Sequence, residues 1–219
     1  MKLNQHLFLA LLGLLSVLST GTAQASIITY TNRATFLGLL QPGYYEDTMS
    51  DVTRGSISGA STTRSGNGYS VTYTAPSGGL YSATGAMSTN NATNNLIASS
   101  LSANSYAVGG YFYLVDFDGA YQAFTGNNIS AVAANGIDPN SSLSAVNSAT
   151  NFFGWISTTP ITSVTVNAGG STPSRYNTMT DVIVGAGSSS SVPEPGTLSL
   201  LLLGSVIGFA KRRKTANSH

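Results

Sequence analysis

The sequence predicts an all-β fold, an antiparallel β-sandwich of jelly-roll type with one short N-terminal helix. Three observations carry this reading. Between residues 26 and 186, short stretches rich in Val, Ile, Thr, Tyr and Phe alternate with a period of two. Clusters of Gly, Pro, Asn and Ser divide them at regular spacing. Nowhere do strand-like and helix-like segments alternate, so a parallel α/β sheet is not expected. Strands of this kind bury their apolar faces by packing two sheets together.

Taken in order, "SIITYT" (residues 26–31) alternates and is β-branched, so it reads as the first strand. Asn32 is a suitable N-cap, Ala34, Leu37 and Leu40 recur near helical spacing, and Pro42-Gly43 ends the run. Residues 49–67 hold few large apolar groups and predict a long loop or a weak edge strand. "GYSVTYTA" (68–75) is a clean strand, and 76–79 form a turn. Residues 79–95 are ambiguous, with an Asn-rich end that reads as a loop, and "LIASSLS" is a short strand candidate. "YAVGGYFYLVDFDGAY" (106–121) predicts a central strand, bulged or kinked at Gly109-Gly110. "NISAVAA" and "SSLSAV" flank a connection built on Asn135-Gly136. "NFFGWIST" and "ITSVTVNA" are strands broken at Thr159-Pro160, "TDVIVGA" (180–186) closes the domain, and "GSSSS" (187–191) reads as a linker.

Composition excludes several function classes. Residues 26–191 hold four basic residues (Arg33, Arg54, Arg64, Arg175) against seven acidic ones, for a net charge of −3. They contain no Lys, His or Cys. A Ser-His-Asp triad, a His-ligated zinc and a thiolate nucleophile are therefore excluded from this segment. No disulfide framework can form, so the fold rests on its core alone, for which about 165 residues suffice. A Lys-free, weakly acidic surface also argues against a nucleic-acid partner.

The two ends read differently from the middle. Lys2, an apolar run from Leu7 to Leu18 and the A-x-A-like Ala23-Gln24-Ala25 together predict a cleavable signal peptide over residues 1–25, with signal peptidase as the processing partner. At the other end, Val192-Pro193-Glu194-Pro195 precedes an apolar segment (196–210) and the cluster Lys211-Arg212-Arg213-Lys214. Fifteen residues of helix extend ~22 Å at 1.5 Å per residue. The hydrocarbon layer is about 30 Å thick, so this is a short transmembrane helix, lengthened by snorkelling of the basic residues. Those residues act as a stop-transfer signal and stay cytoplasmic. The prolines hold the preceding backbone extended, where a processing enzyme can grip it.

This three-part arrangement over residues 192–214 resembles the PEP-CTERM sorting signal of Gram-negative bacteria. The resemblance implies an exosortase as processing partner and anchoring in the inner membrane before processing. It then implies delivery to the cell surface or to a biofilm matrix of exopolysaccharide. A second resemblance concerns the globular domain. Tyr30, Thr31, Arg33 and Phe36 near its start, and Phe152/Phe153, Gly154, Ser157, Pro160, Ile161, Ser163 and Val164 near its end, are similar to a group of PEP-CTERM proteins that look like lectin-type β-sandwiches. The closing strand of that group often opens with Asp-Asn, whereas here Asp181 precedes Val182.

Candidate sites within the domain are few. Glu46, Asp47 and Asp51 form one acidic cluster, and Asp116 with Asp118 form another. One acid from each could make a glycosidase pair if folding joined them, but so few acids favour a non-enzymatic protein. "VDFDG" places Asp116 and Asp118 on one face of a strand, and Asp138 and Asn140 lie in a loop. Such oxygen donors suit Ca²⁺, which sets a structural ion beside the alternative of a solvated strand end. Tyr111, Tyr113, Tyr121 and Trp155 are candidate sugar contacts, with core packing as the alternative role. The expected role is structural or adhesive within an exopolysaccharide matrix, and the alternative is a carbohydrate-binding module.

Overall fold

The computed structural model describes residues 27–56, 59–83, 85–122, 128–134, 151–167 and 175–188. The expected signal peptide with Ala23 and Ala25, the expected loop with Asp138 and Asn140, the strand expected at 141–146 and the whole tail from Val192 lie outside these residues. Among the described residues no helix is long and apolar enough to cross a membrane.

Two antiparallel sheets form the domain, as the alternation predicts. The nine-stranded sheet runs β1 (Ile27–Tyr30), β12 (Phe152–Ser157), β9 (Ala107–Val115), β14 (Tyr176–Gly185), β7 (Ala86–Thr89), β6 (Leu80–Ala83) and β3 (Gly55–Ser56). Two short strands join it from the side, β10 (Tyr121–Gln122) on β9 and β2 (Tyr45–Asp47) on β14. The second sheet runs β11 (Asn128–Ala133), β13 (Ile161–Asn167), β8 (Leu96–Ser99), β5 (Tyr69–Thr74) and β4 (Ser61–Gly66). These orders establish a sandwich, and jelly-roll connectivity is not established by them. The core lies between the sheets, where Trp155, Phe112, Val108, Met179 and Val184 meet Val71, Tyr73, Leu96, Ile129 and Val164. Each such side chain contributes roughly 1.5–3 kcal/mol by leaving water.

Residues 49–67, expected as a long loop or a weak edge strand, contain β3 and β4, each at the end of its sheet. The ambiguous residues 79–95 form the β6–β7 pair, with Leu80 opposite Thr89. Asn32 caps α1 (Arg33–Gly38), accepting a hydrogen bond from the Thr35 backbone N–H at 2.9 Å. The helix is shorter than its apolar spacing suggests and is followed by Leu39 as C-cap. Backbone bonds from Gln41 to Ala186 (2.9 Å) and from Ser188 to Leu39 (2.8 Å) then tie the start of the Gly/Ser segment to this corner. The folded unit thus continues through Ser188.

Helix α1 packs on the face of the nine-stranded sheet turned away from the second sheet, and glycine makes the room. A Cβ on Gly154 would stand 2.5 Å from Phe36 Cδ2, and one on Gly109 would stand 2.9 Å from Phe36 Cε1. Phe36 is fully buried there, with its ring 5.3 Å from Phe152 and 6.2 Å from Tyr30. The stretch around Tyr30–Phe36 and the Phe152–Gly154 stretch, far apart in sequence, thus form one packed unit.

The irregularity expected at Gly109-Gly110 lies on the partner strand. The β14–β9 register shifts between Thr180 and Ile183, so Asp181 and Val182 together oppose the single residue Gly110, one more than regular pairing needs. Gly110 lets them close in, since a Cβ there would stand 3.2 Å from the Thr180 carbonyl oxygen. Asp181 sits at φ 48°, a region that Asn and Asp tolerate best after glycine. Burial raises its pKa, and the charges of Glu46 and Asp47 raise it further against the opposing Arg33. A raised carboxyl pKa means that ionisation costs folding stability as pH climbs through the window above the ordinary carboxylate value. Asp181→Asn keeps the backbone preference and removes that charge. Its expected effect at pH 7 is a gain of less than about 1 kcal/mol. The gain should vanish below the ordinary carboxylate range, as thermal melts at pH 7 and pH 3 would show.

Candidate functional site

The adjacent strands β9, β14, β7 and β6 of the nine-stranded sheet form, at one of their ends, a cleft of ≈ 390 Å³, lined by Arg54, Tyr81, Ser88, Thr89, Asn90, Val115, Asp116, Phe117, Asp118, Gly119 and Tyr176. Sheet register brings these residues together. Val115 of β9 faces Tyr176 of β14, while Ser88 of β7 is paired with both Thr178 of β14 and Tyr81 of β6. Ser88 shares a short hydrogen bond with the Thr178 hydroxyl. Arg54, just ahead of β3, donates from Nε to the Tyr81 hydroxyl at 3.0 Å, which raises the already high pKa of its guanidinium. Thr89 is buried, and its hydroxyl has no hydrogen-bond partner among the described residues.

The turn from β9 to β10 builds the rim. Asp116 Oδ1 accepts from the backbone N–H groups of Asp118 (3.1 Å) and Ala120 (2.8 Å), and Oδ2 accepts from Gln122 Nε2 at 2.9 Å. Gly119 supplies the φ of 87° that the turn needs. Phe117 stands at the tip, 77% exposed. Strand β9 ends at Val115, so Asp116 and Asp118 occupy a turn and not one strand face, which corrects the geometry expected of the Ca²⁺ candidate. Among the described residues no group of three His, Cys, Asp or Glu side chains stands ready for a metal.

The aromatic candidates are placed as follows. Trp155 is fully buried in the core, 5.7 Å from Phe112 and 6.4 Å from Phe153, so it contacts no ligand at the surface. Tyr111 and Tyr113 do share an outer strand face, where each ring packs against an aromatic neighbour. Tyr111 meets Phe152 edge-on at 5.7 Å, and Tyr113, 7% exposed, meets Tyr121 at 5.3 Å. Burial, with Tyr121 beside it, pushes the Tyr113 hydroxyl pKa well up. Tyr113 therefore offers no free platform, and Tyr111 is half-buried. Tyr121 is 48% exposed and lies opposite Val115, next to the cleft.

The first acidic cluster is engaged internally. Glu46 pairs with Arg33 at 2.5 Å. Buried Asp47 accepts from Arg64 Nε at 2.8 Å, from the Tyr73 hydroxyl at 2.8 Å and from the Met49 backbone N–H at 3.2 Å. Arg64 also reaches Asp51 at 2.5 Å, which lowers the pKa of that exposed carboxyl. Burial and the neighbouring Asp47 raise the Tyr73 hydroxyl pKa well above its ordinary value.

Sequence reasoning missed Arg54, Tyr81, Thr89, Asn90, Phe117 and Tyr176. One signal was available: Phe117 lies between two aspartates and a glycine in "VDFDG", where turn residues push an aromatic side chain into solvent.

A family model for the PEP-CTERM protein-sorting motif matches residues 191–214. No curated protein and no solved structure matches the chain.

Proposed function

We propose that this protein is a structural or adhesive component of an exopolysaccharide matrix, displayed outside the cell by exosortase-dependent sorting. The tail is the carrying observation, since a PEP-CTERM motif at 191–214 implies an exported surface protein anchored in the membrane before an exosortase processes it. The composition of the sandwich supports a non-catalytic role. Glu46, Asp47 and Asp51 are held by arginines, and Asp116 is held by its own turn. Fractionation of producing cells tests the reading. The protein should be recovered with the extracellular polysaccharide and should pass into the medium when synthesis of that polymer is abolished. Distribution independent of the polymer would contradict it.

A second reading, a carbohydrate-binding module, is favoured by the cleft between β6, β7, β9 and β14. It joins an exposed aromatic ring to converging polar side chains.

A further inference from the structure

We propose that this cleft binds a neutral sugar unit of a polysaccharide, with the Phe117 ring as the stacking surface and Arg54 and Asn90 as hydrogen-bond partners. The inference rests on the carbohydrate-binding reading and gives it a site and a ligand class. A pyranose presents an apolar C–H face and a rim of hydroxyls, so its site needs a flat ring beside converging polar groups. Phe117 supplies the ring. A single exposed phenylalanine needs no explanation on its own. This one is held at the rim of a ≈ 390 Å³ cleft by the three hydrogen bonds of Asp116. That volume lies near the lower end of small-ligand sites, roughly 300–1,000 Å³.

The polar partners are pre-positioned. Arg54 is oriented through its Nε bond to Tyr81, and its terminal nitrogens make no hydrogen bond among the described residues. They can donate as a fork to two adjacent hydroxyls. Asn90 is exposed at the same cleft, and its Nδ2 donation to the Gly78 carbonyl at 3.2 Å leaves its amide oxygen to accept. Thr89 adds a buried lining hydroxyl that no group among the described residues engages.

Charge selects the class. One guanidinium stands among two carboxylates, Asp116 and Asp118. A uronate would bring a third negative charge into this space and meet repulsion. A neutral hexose meets none.

Calorimetric titration of the mature protein distinguishes the outcomes. The probes are neutral oligosaccharides of glucose, galactose or mannose, set against oligomers of uronic acid. Binding to a neutral series is expected. Phe117→Ala should weaken it at least ~10-fold, Phe117→Tyr should retain it, and Arg54→Met should weaken it to a similar degree. Both side chains are exposed, so the melting temperature should stay at the wild-type value and exclude misfolding as the cause. Neutral-sugar binding that ignores both substitutions would overturn the cleft assignment and leave the carbohydrate-binding reading standing. Preference for uronates would overturn the ligand class. Failure to bind any oligosaccharide would overturn the site and that reading together.

Discussion

Replacing Arg64 with methionine is expected to destabilise the fold by about 3–5 kcal/mol. Asp47 is 2% exposed, and Arg64 is the cation that compensates its charge there. The substitution preserves much of the side-chain volume but leaves a buried carboxylate with, among the described residues, only the Tyr73 hydroxyl and the Met49 N–H. Denaturant unfolding followed by the fluorescence of Trp155, the one tryptophan of the chain and a core residue, would measure the loss. Adding Asp47→Asn to Arg64→Met should recover part of it, because the group left behind then carries no charge. Arg64→Lys should fall between, since an ammonium cannot reproduce the fork that reaches Asp47 and Asp51 together. A cost below about 1 kcal/mol for Arg64→Met would place the pair among solvent-screened surface bridges and contradict its structural role.

The second large effect concerns Phe36. Phe36→Ala should cost about 3–5 kcal/mol, because the emptied space is bounded by the backbone at Gly109 and Gly154 and cannot readily collapse. Gly154→Ala alone should cost about 1–3 kcal/mol through overpacking, with its new methyl 2.5 Å from the ring. In the Phe36→Ala background the same Gly154→Ala change should cost close to nothing. That non-additivity is the signature of direct contact. Strictly additive losses would mean that the helix and β12 are stabilised independently.

Much of the sandwich was legible in the sequence, because a half-buried strand imposes its period of two on the residues that form it. β1, β5, β11, β12 and β13 fall where alternation placed them, and the break at Pro160 separates β12 from β13. Strand β14 begins at Tyr176, ahead of the apolar run, because Asn177 and Thr178 are buried polar residues that hydrophobic pattern does not mark. The Gly109-Gly110 pair signalled a departure from regular sheet. Its cause, the ring of Phe36 and the bulge at Asp181-Val182, lies on elements distant in sequence.

The site was less legible for the same reason. The cleft draws on residues from Arg54 to Tyr176, and only sheet register brings them to one end of the sheet. Aromatic residues in strands carry no mark of which are covered. Trp155 is the largest fully buried side chain, while Phe117, two residues beyond the end of β9, and Tyr121 are exposed. Acidic clusters likewise do not show their partners. Asp47 meets an arginine seventeen residues away, on a strand of the other sheet. The sorting motif was the most legible feature, because its three parts act in linear order and need no tertiary context.

The mass of the mature protein's C-terminal peptide, taken from the envelope or matrix of producing cells, tests the central claim most directly. Processing by an exosortase should leave a terminus within Val192–Pro195, and Glu194→Ala should abolish that terminus and hold the chain in the inner membrane. A wild-type protein recovered outside the membrane with its sequence intact through His219 would contradict exosortase processing.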